Sequence, residues 1–267
     1  MRELRSQLTA YLKKYLLFLI MTLHDRYTAG QTIEVYDEIA TLGRKAFEPE
    51  YYNQVEAVLV ETFGRVRHNL QVIYQALQSI NYQFKTTCQY NFEKPLHPPL
   101  DDTENLLNKL DGEVRPFGFV PQSLKYFYGY VGGVNFVWDY EVNDDILWPM
   151  ADPLQVASLD ALVESVTDEN WREVMDDYMQ EDGTTFLELA ADVYHKDNVS
   201  GGPAYSLLIT EEPAVDSVFI NEPHETTFIN YLRVCFDYGG FPGLAAGDYP
   251  DDYEAFLEKV KPQLKKI

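Results

Sequence analysis

Cysteine is almost missing from this chain: Cys88 and Cys235 are the only two in 267 residues, and neither stands in a CxxC pair. That spacing excludes a disulfide framework and a zinc knuckle, and it fits a reducing cytoplasm. Long apolar runs are also lacking. The strongest, "YLLFLIMTL" at 15–23 behind Lys13 and Lys14, imitates a signal peptide but is well short of the ~20 residues that span a bilayer. Its flanks continue a helical pattern and offer no cleavage site, so neither export nor membrane insertion is expected. The chain contains no GxSxG elbow, no GxxxxGKS phosphate loop, no GxGxxG, no HExxH and no ordered DxDxDG series. No cofactor is expected.

Positive charge is the next shortage, and it is localised. Residues 1–100 carry 10 Asp/Glu against 11 Lys/Arg, net +1, whereas residues 101–267 carry 33 against 10, net −23, so the chain's −22 comes entirely from the second part. Such a field repels phosphate backbones, so direct binding of nucleic acid is excluded as a leading function. It attracts basic proteins, and it also keeps a protein dispersed.

What the chain does have is core-forming material: 46% hydrophobic and 14% aromatic residues. Leu4, Leu8, Leu12, Tyr15, Leu19 and Leu23 draw one stripe along a helix that Gly30 ends, and Thr32 opens a second helix through Ile33, Tyr36 and Ile39. Pro49 suits the first turn of a third, long helix. There Tyr52, Val55, Leu59, Phe63, Val66, Leu70, Ile73, Leu77 and Ile80 alternate steps of three and four. Packing within one helical bundle is the favoured use of that stripe, with dimerisation through it the alternative. A monomer or weak homodimer is therefore expected.

After Asn81 the pattern changes to the strand-like "YQFKTTCQY", and "FEKPLHPPLDD" then breaks all periodicity. This predicts a helical part over 1–92 and a mixed part over 93–267. In the mixed part "TENLLNKLDG" predicts a short helix stopped by Gly112. "VPQSLKYFYGYVGG" predicts a helix from Pro121 to the Gly132-Gly133 pair, with Leu124, Phe127, Tyr128 and Val131 inward. "VNFVWDY" predicts a strand. A strand at "PLQVAS", a helix from Leu159, strands at "FLELAA", "AYSLLI" and "SVFIN", and a helix capped by Thr226 or Thr227 follow. Strands separated by short loops more often than by helices predict an α+β fold, mostly antiparallel, with helices on one side of the sheet.

This order of elements resembles the SUKH superfamily, which includes fungal cell-wall-assembly regulators and bacterial immunity proteins. The matching pieces are "DDTENLLNKLDGEV", "VPQSLKYFYGYVGGVNF", "DPLQVASLDAL" and "FLELAADVYHKDNVSGGPAYSLLI" followed by "TTFINYLRVCF", within residues 95–240. Relatives place a Gly and Asp pair before the "YSLLI"-like strand, where this chain has "SGGPAY". The resemblance implies a non-enzymatic protein-binding module, in its sharper form an immunity-type protein that occludes a basic toxin domain.

Three groups of residues are candidate sites. "EVNDDILWPMAD" and the residues before it join Asp139, Glu141, Asp144 and Asp145 to Trp138 and Trp148, and carboxylates beside aromatic anchors suit a basic partner. The bland reading is a polar loop over buried tryptophans. His195, Asp197, Glu222, His224 and Glu225 carry imidazole and carboxylate donors, and the alternative function is a metal-dependent hydrolase built on the His195 and His224 loops. Cys235 lies inside a helical apolar stripe, where a thiol is normally a core residue.

Overall fold

The computed structural model describes residues 21–86, 94–143, 145–247 and 250–267. Of the apolar stripe expected from Leu4 to Leu23, residues 4–19 lie outside them, as does the join expected between 92 and 93; Leu23 belongs to a helix that starts afresh behind an extended Thr22. The chain divides into two units, Met1–Glu61 and Thr62–Ile267.

In the first unit, helix α1 (Leu23–Thr28) is opened by Thr22 and Asp25, each of whose side chains accepts a hydrogen bond from the other's backbone N–H. This reciprocal arrangement satisfies donors that a short helix leaves open. Helix α2 (Thr32–Leu42) buries Val35, Tyr36 and Ile39, and Tyr36 meets Tyr27 edge to face at 6.0 Å. Helix α3 (Pro49–Ser79) begins with proline at its first position. Its stripe is buried within the chain at Val55, Leu59, Phe63, Val66, Leu70, Ile73 and Leu77, so those side chains are not an open seam.

The second unit is α+β, and its described residues hold six short strands, all paired antiparallel. They form two three-stranded sheets in place of one. In the first, β2 (Gly133–Asn135) lies between β1 (Leu96–His97) and β3 (Gln155–Val156), with Val134 opposite both Leu96 and Val156. In the second, β5 (Tyr205–Leu208) lies between β4 (Phe186–Ala190) and β6 (Phe219–Ile220). The sheets meet edge to edge: Ala157 donates its N–H to the Leu189 carbonyl at 2.7 Å, and the Gln155 amide accepts from the Ala191 N–H at 3.0 Å.

Helices α4 (Thr103–Val114), α5 (Gln122–Tyr130), α6 (Leu159–Thr167), α7 (Glu169–Glu181), α8 (Val193–Lys196), α9 (Phe228–Asp237) and α10 (Asp251–Val260) complete the unit. Helix α4 does not stop at Gly112. It continues to Val114, because burying Val114 one turn beyond the buried Leu110 outweighs the ~1 kcal/mol that an interior glycine costs. Pro121 is the residue flanking α5, and Gly132 ends the turn with φ +100°, where a Cβ would overlap the His97 carbonyl oxygen. Only glycine fits that crossing. The expected strand over Val134–Tyr140 shortens to β2 plus one bridge between Trp138 and Phe84. Residues 134–138 are all buried, so both faces of the segment are covered and no exposed face remains.

Two aromatic clusters make the core. Phe127 meets Phe63, Tyr128 and Phe228 edge to face at 5.7–6.3 Å, and Phe219 extends that group to Tyr231. The second cluster gathers Tyr82, Trp138, Trp148, Phe241, Tyr253 and Phe256. Such pairs add specific orientation to the burial of large apolar surfaces.

Candidate functional site

The acidic loop after β2 is shaped by hydrogen bonds within the chain. Lys85 enters beneath it: its N–H reaches the Val137 carbonyl at 2.8 Å, and its ammonium donates to the Tyr140 hydroxyl at 2.7 Å and lies 3.4 Å from Glu141. Burial works against the Lys85 charge, but Tyr140 and Glu141 outweigh it and hold the pKa above the ordinary lysine value. Asp139 accepts the Glu141 N–H at 3.0 Å, and Asn143 accepts the Asp145 N–H at 3.2 Å, two turns of the kind these side chains favour.

The loop therefore presents Glu141 and Asp145 toward solvent and leaves Asp139 half-buried, and Asp144 lies outside the described residues. The tryptophans are placed differently. Trp138 is 6% exposed with its indole N–H on the Asn143 carbonyl, and Trp148 is 3% exposed with its N–H on Asp252. Both rings belong to the second aromatic cluster, so a partner at this loop meets carboxylates and the exposed Val142, not indole faces.

The histidine loops are also internally organised. Glu222 is buried and accepts from the backbone N–H groups of His224 and Thr226 and sits 2.9 Å from the His224 ring nitrogen Nδ1. His195 donates its backbone N–H to Asp192 at 2.7 Å, and Asp192 also accepts from Gly202. Side chains at Gly201 and Gly202 would press on Asp192, which explains the glycines of "SGGPAY". Among the described residues, no three His, Cys, Asp or Glu side chains gather as a metal-holding group. Cys235 is fully buried and free, and burial pushes its thiol pKa well up.

Beside α8 lies a charged node inside the fold. Lys196 and Asp152 pair at 2.5 Å with side chains 0% and 1% exposed, Tyr205 donates its hydroxyl to Asp152 at 3.1 Å, and the Lys196 ammonium sits 4.7 Å from the centre of the Tyr205 ring. Met150 and Asp152 both have left-handed backbones, φ 58° and 51°, and Asp197 accepts the Met150 N–H at 2.6 Å. Burial raises the Asp197 pKa against that bond.

One acidic surface escaped the sequence reading. In α7, "ENWREVMDDYMQE", only Met175 is buried, while Val174, Tyr178 and Met179 are 45%, 40% and 38% exposed. The readable signal was Glu173, Asp177 and Glu181 stepping by four beside Val174 and Tyr178, also four apart.

Comparison with protein-family models, with curated proteins and with solved structures finds no match for this chain. No helix among the described residues is long and apolar enough to cross a membrane.

Proposed function

We propose that this chain is a non-enzymatic binding module of the cytoplasm whose acidic second unit docks a basic protein surface, in the manner of an immunity-type protein that occludes a toxin domain. The observation that carries the reading is the one-sided charge, 33 Asp/Glu against 10 Lys/Arg over residues 101–267, displayed as exposed carboxylates on the loop after β2 and along α7. Carboxylates spread over one unit steer a cationic partner from a distance and hold it by complementarity. The resemblance to the SUKH superfamily supports the same class of function.

The test uses a folded basic protein and the same protein with its lysines succinylated. The native form is expected to associate quickly at low salt, with a rate that falls steeply once the screening length shrinks to about 10 Å near 0.1 M salt. The succinylated form is expected not to bind. A rate indifferent to salt, or equal binding of both forms, refutes the proposal.

A further inference from the structure

We infer that α7 is the docking face, and that its occupant is a basic amphipathic segment of the partner, lysines or arginines bracketing apolar side chains. The inference rests on the proposed function and adds the place and the chemistry of the contact.

The helix carries its charges in an arrangement it cannot satisfy alone. Glu173, Asp177 and Glu181 form one row at i, i+4 and i+8, and like charges at that spacing repel each other. Glu181 and Asp182 stand at the C-terminal end, where the helix dipole disfavours negative charge. Among the described residues, Glu173, Asp177 and Glu181 have no Lys or Arg partner. Arg172, the one cation of α7, is taken by Glu113 at 2.7 Å. A cation brought by a partner relieves both the row repulsion and the dipole conflict.

Apolar surface lies in the neighbouring row, three residues before Asp177 and Glu181. Val174 and Tyr178 are exposed next to the acids, and the Tyr178 ring is held edge to face by Phe186 at 5.1 Å, so the ledge is preformed. The support beneath is narrow: Met175 is buried, and Trp171 meets Phe117 at 5.4 Å. The loop after β2 compares poorly as a dock, since Glu141 is paired with Lys85 and Asp139 is engaged by the loop's own backbone. Carboxylates bracketing an exposed aliphatic and an aromatic residue match a partner with cations bracketing apolar groups; oligolysine satisfies only half of that pattern.

The experiment measures binding of two labelled peptides to the full chain by fluorescence anisotropy. One is an amphipathic Lys/Leu helix, and the other has the same lysines with every Leu replaced by Ser. The native chain is expected to prefer the Leu peptide by about tenfold or more, from the apolar area it covers. Val174→Ser with Tyr178→Ser removes that preference and leaves the Ser peptide unaffected; Val174→Ser alone halves or better the preference and covers the case in which loss of Tyr178 unsettles the helix. Glu173→Gln, Asp177→Gln and Glu181→Gln together weaken both peptides and flatten their salt dependence. Asp139→Asn, Glu141→Gln and Asp145→Asn take away part of the general acidic field only, so they weaken both peptides far less than the α7 variants do. If the loop variant abolishes binding and the α7 variants do not, or if both weaken it equally, the inference is overturned while the proposed function stands. If neither peptide binds in a salt-dependent way, both fall.

Discussion

Replacing Lys196 by methionine tests the energetics of the fold at its most committed point. The substitution keeps the apolar stem and removes the ammonium that pairs with Asp152 at 2.5 Å, both side chains being shut off from solvent. Asp152 is then left with the Tyr205 hydroxyl as its donor, and no water reaches it to replace the lost cation. Breaking a buried pair by removing one partner costs about 3–5 kcal/mol, against at most ~1 kcal/mol for an exposed pair such as Lys85 with the 66% exposed Glu141. Asp152→Asn is the matching change. Asparagine tolerates the left-handed backbone at φ 51°, so the effect isolates the charge. In the double variant no charge is stranded, and the loss should be smaller than the sum of the singles by roughly 2–3 kcal/mol. Urea unfolding followed by tryptophan fluorescence reads these values, with a fall in midpoint of about 1 M or more for Lys196→Met at an unchanged slope. A loss below ~1 kcal/mol for Lys196→Met, or strict additivity in the double variant, refutes the account of a dry, mutually dependent pair.

Three further outcomes follow from the packing. Phe127→Ala, which empties a site lined by Phe63, Tyr128 and Phe228, should cost about 3–5 kcal/mol in the same urea assay, and a loss under ~1 kcal/mol would show that α5 is not a core element. Gly132→Val should prevent folding or lower the thermal midpoint sharply, because its Cβ overlaps the His97 carbonyl. Gly64→Ala, inside α3 with open space around it, should gain up to about 1 kcal/mol, and equal effects at the two glycines would contradict both readings. Asp216 supplies the pH dependence: burial raises its carboxyl pKa although the Ser123 and Thr227 hydroxyls and the Ile229 and Ser217 N–H groups pull it down. The native state then binds the proton more tightly than the unfolded chain, so this group's contribution to stability falls as pH rises from the ordinary aspartate value through the raised one. Asp216→Asn should flatten that decline in denaturant midpoints taken across the acid range, and an unchanged profile would show that Asp216 is not its source.

The sequence made some of this architecture readable because single elements carried their own signal. The stripe of α3, the Pro121 to Gly132 brackets of α5 and the order of strands from "PLQVAS" to "SVFIN" needed only periodicity and backbone chemistry. What was not readable depended on partners distant in sequence. Gly112 looks like a stop until Val114 has a core to enter. Trp138 and Trp148 look like anchors until Tyr82, Phe241 and Phe256 enclose them. Lys196 and Asp152, 44 residues apart, have nothing in their local sequence to announce that they pair. The acids and apolar residues of α7 could have been read by helical spacing, but in an acidic segment their exposure is decided by what the rest of the unit leaves uncovered.

The way α3 is closed off bears on how the chain is made. Asn69 exchanges two hydrogen bonds of 2.8 Å with the backbone of Lys265, its partner 196 residues downstream, while Arg65 reaches the Lys266 carbonyl and Arg233 that of Ile267. On a ribosome adding about 5–20 residues per second, Asn69 waits roughly 10–40 s before Lys265 exists to meet it. Through that interval the second half of the longest helix has lost the protection of the tunnel and has not yet acquired its final cover. Newly made chains should therefore be good clients for chaperones that bind exposed apolar helices, and slowing translation should lengthen their stay.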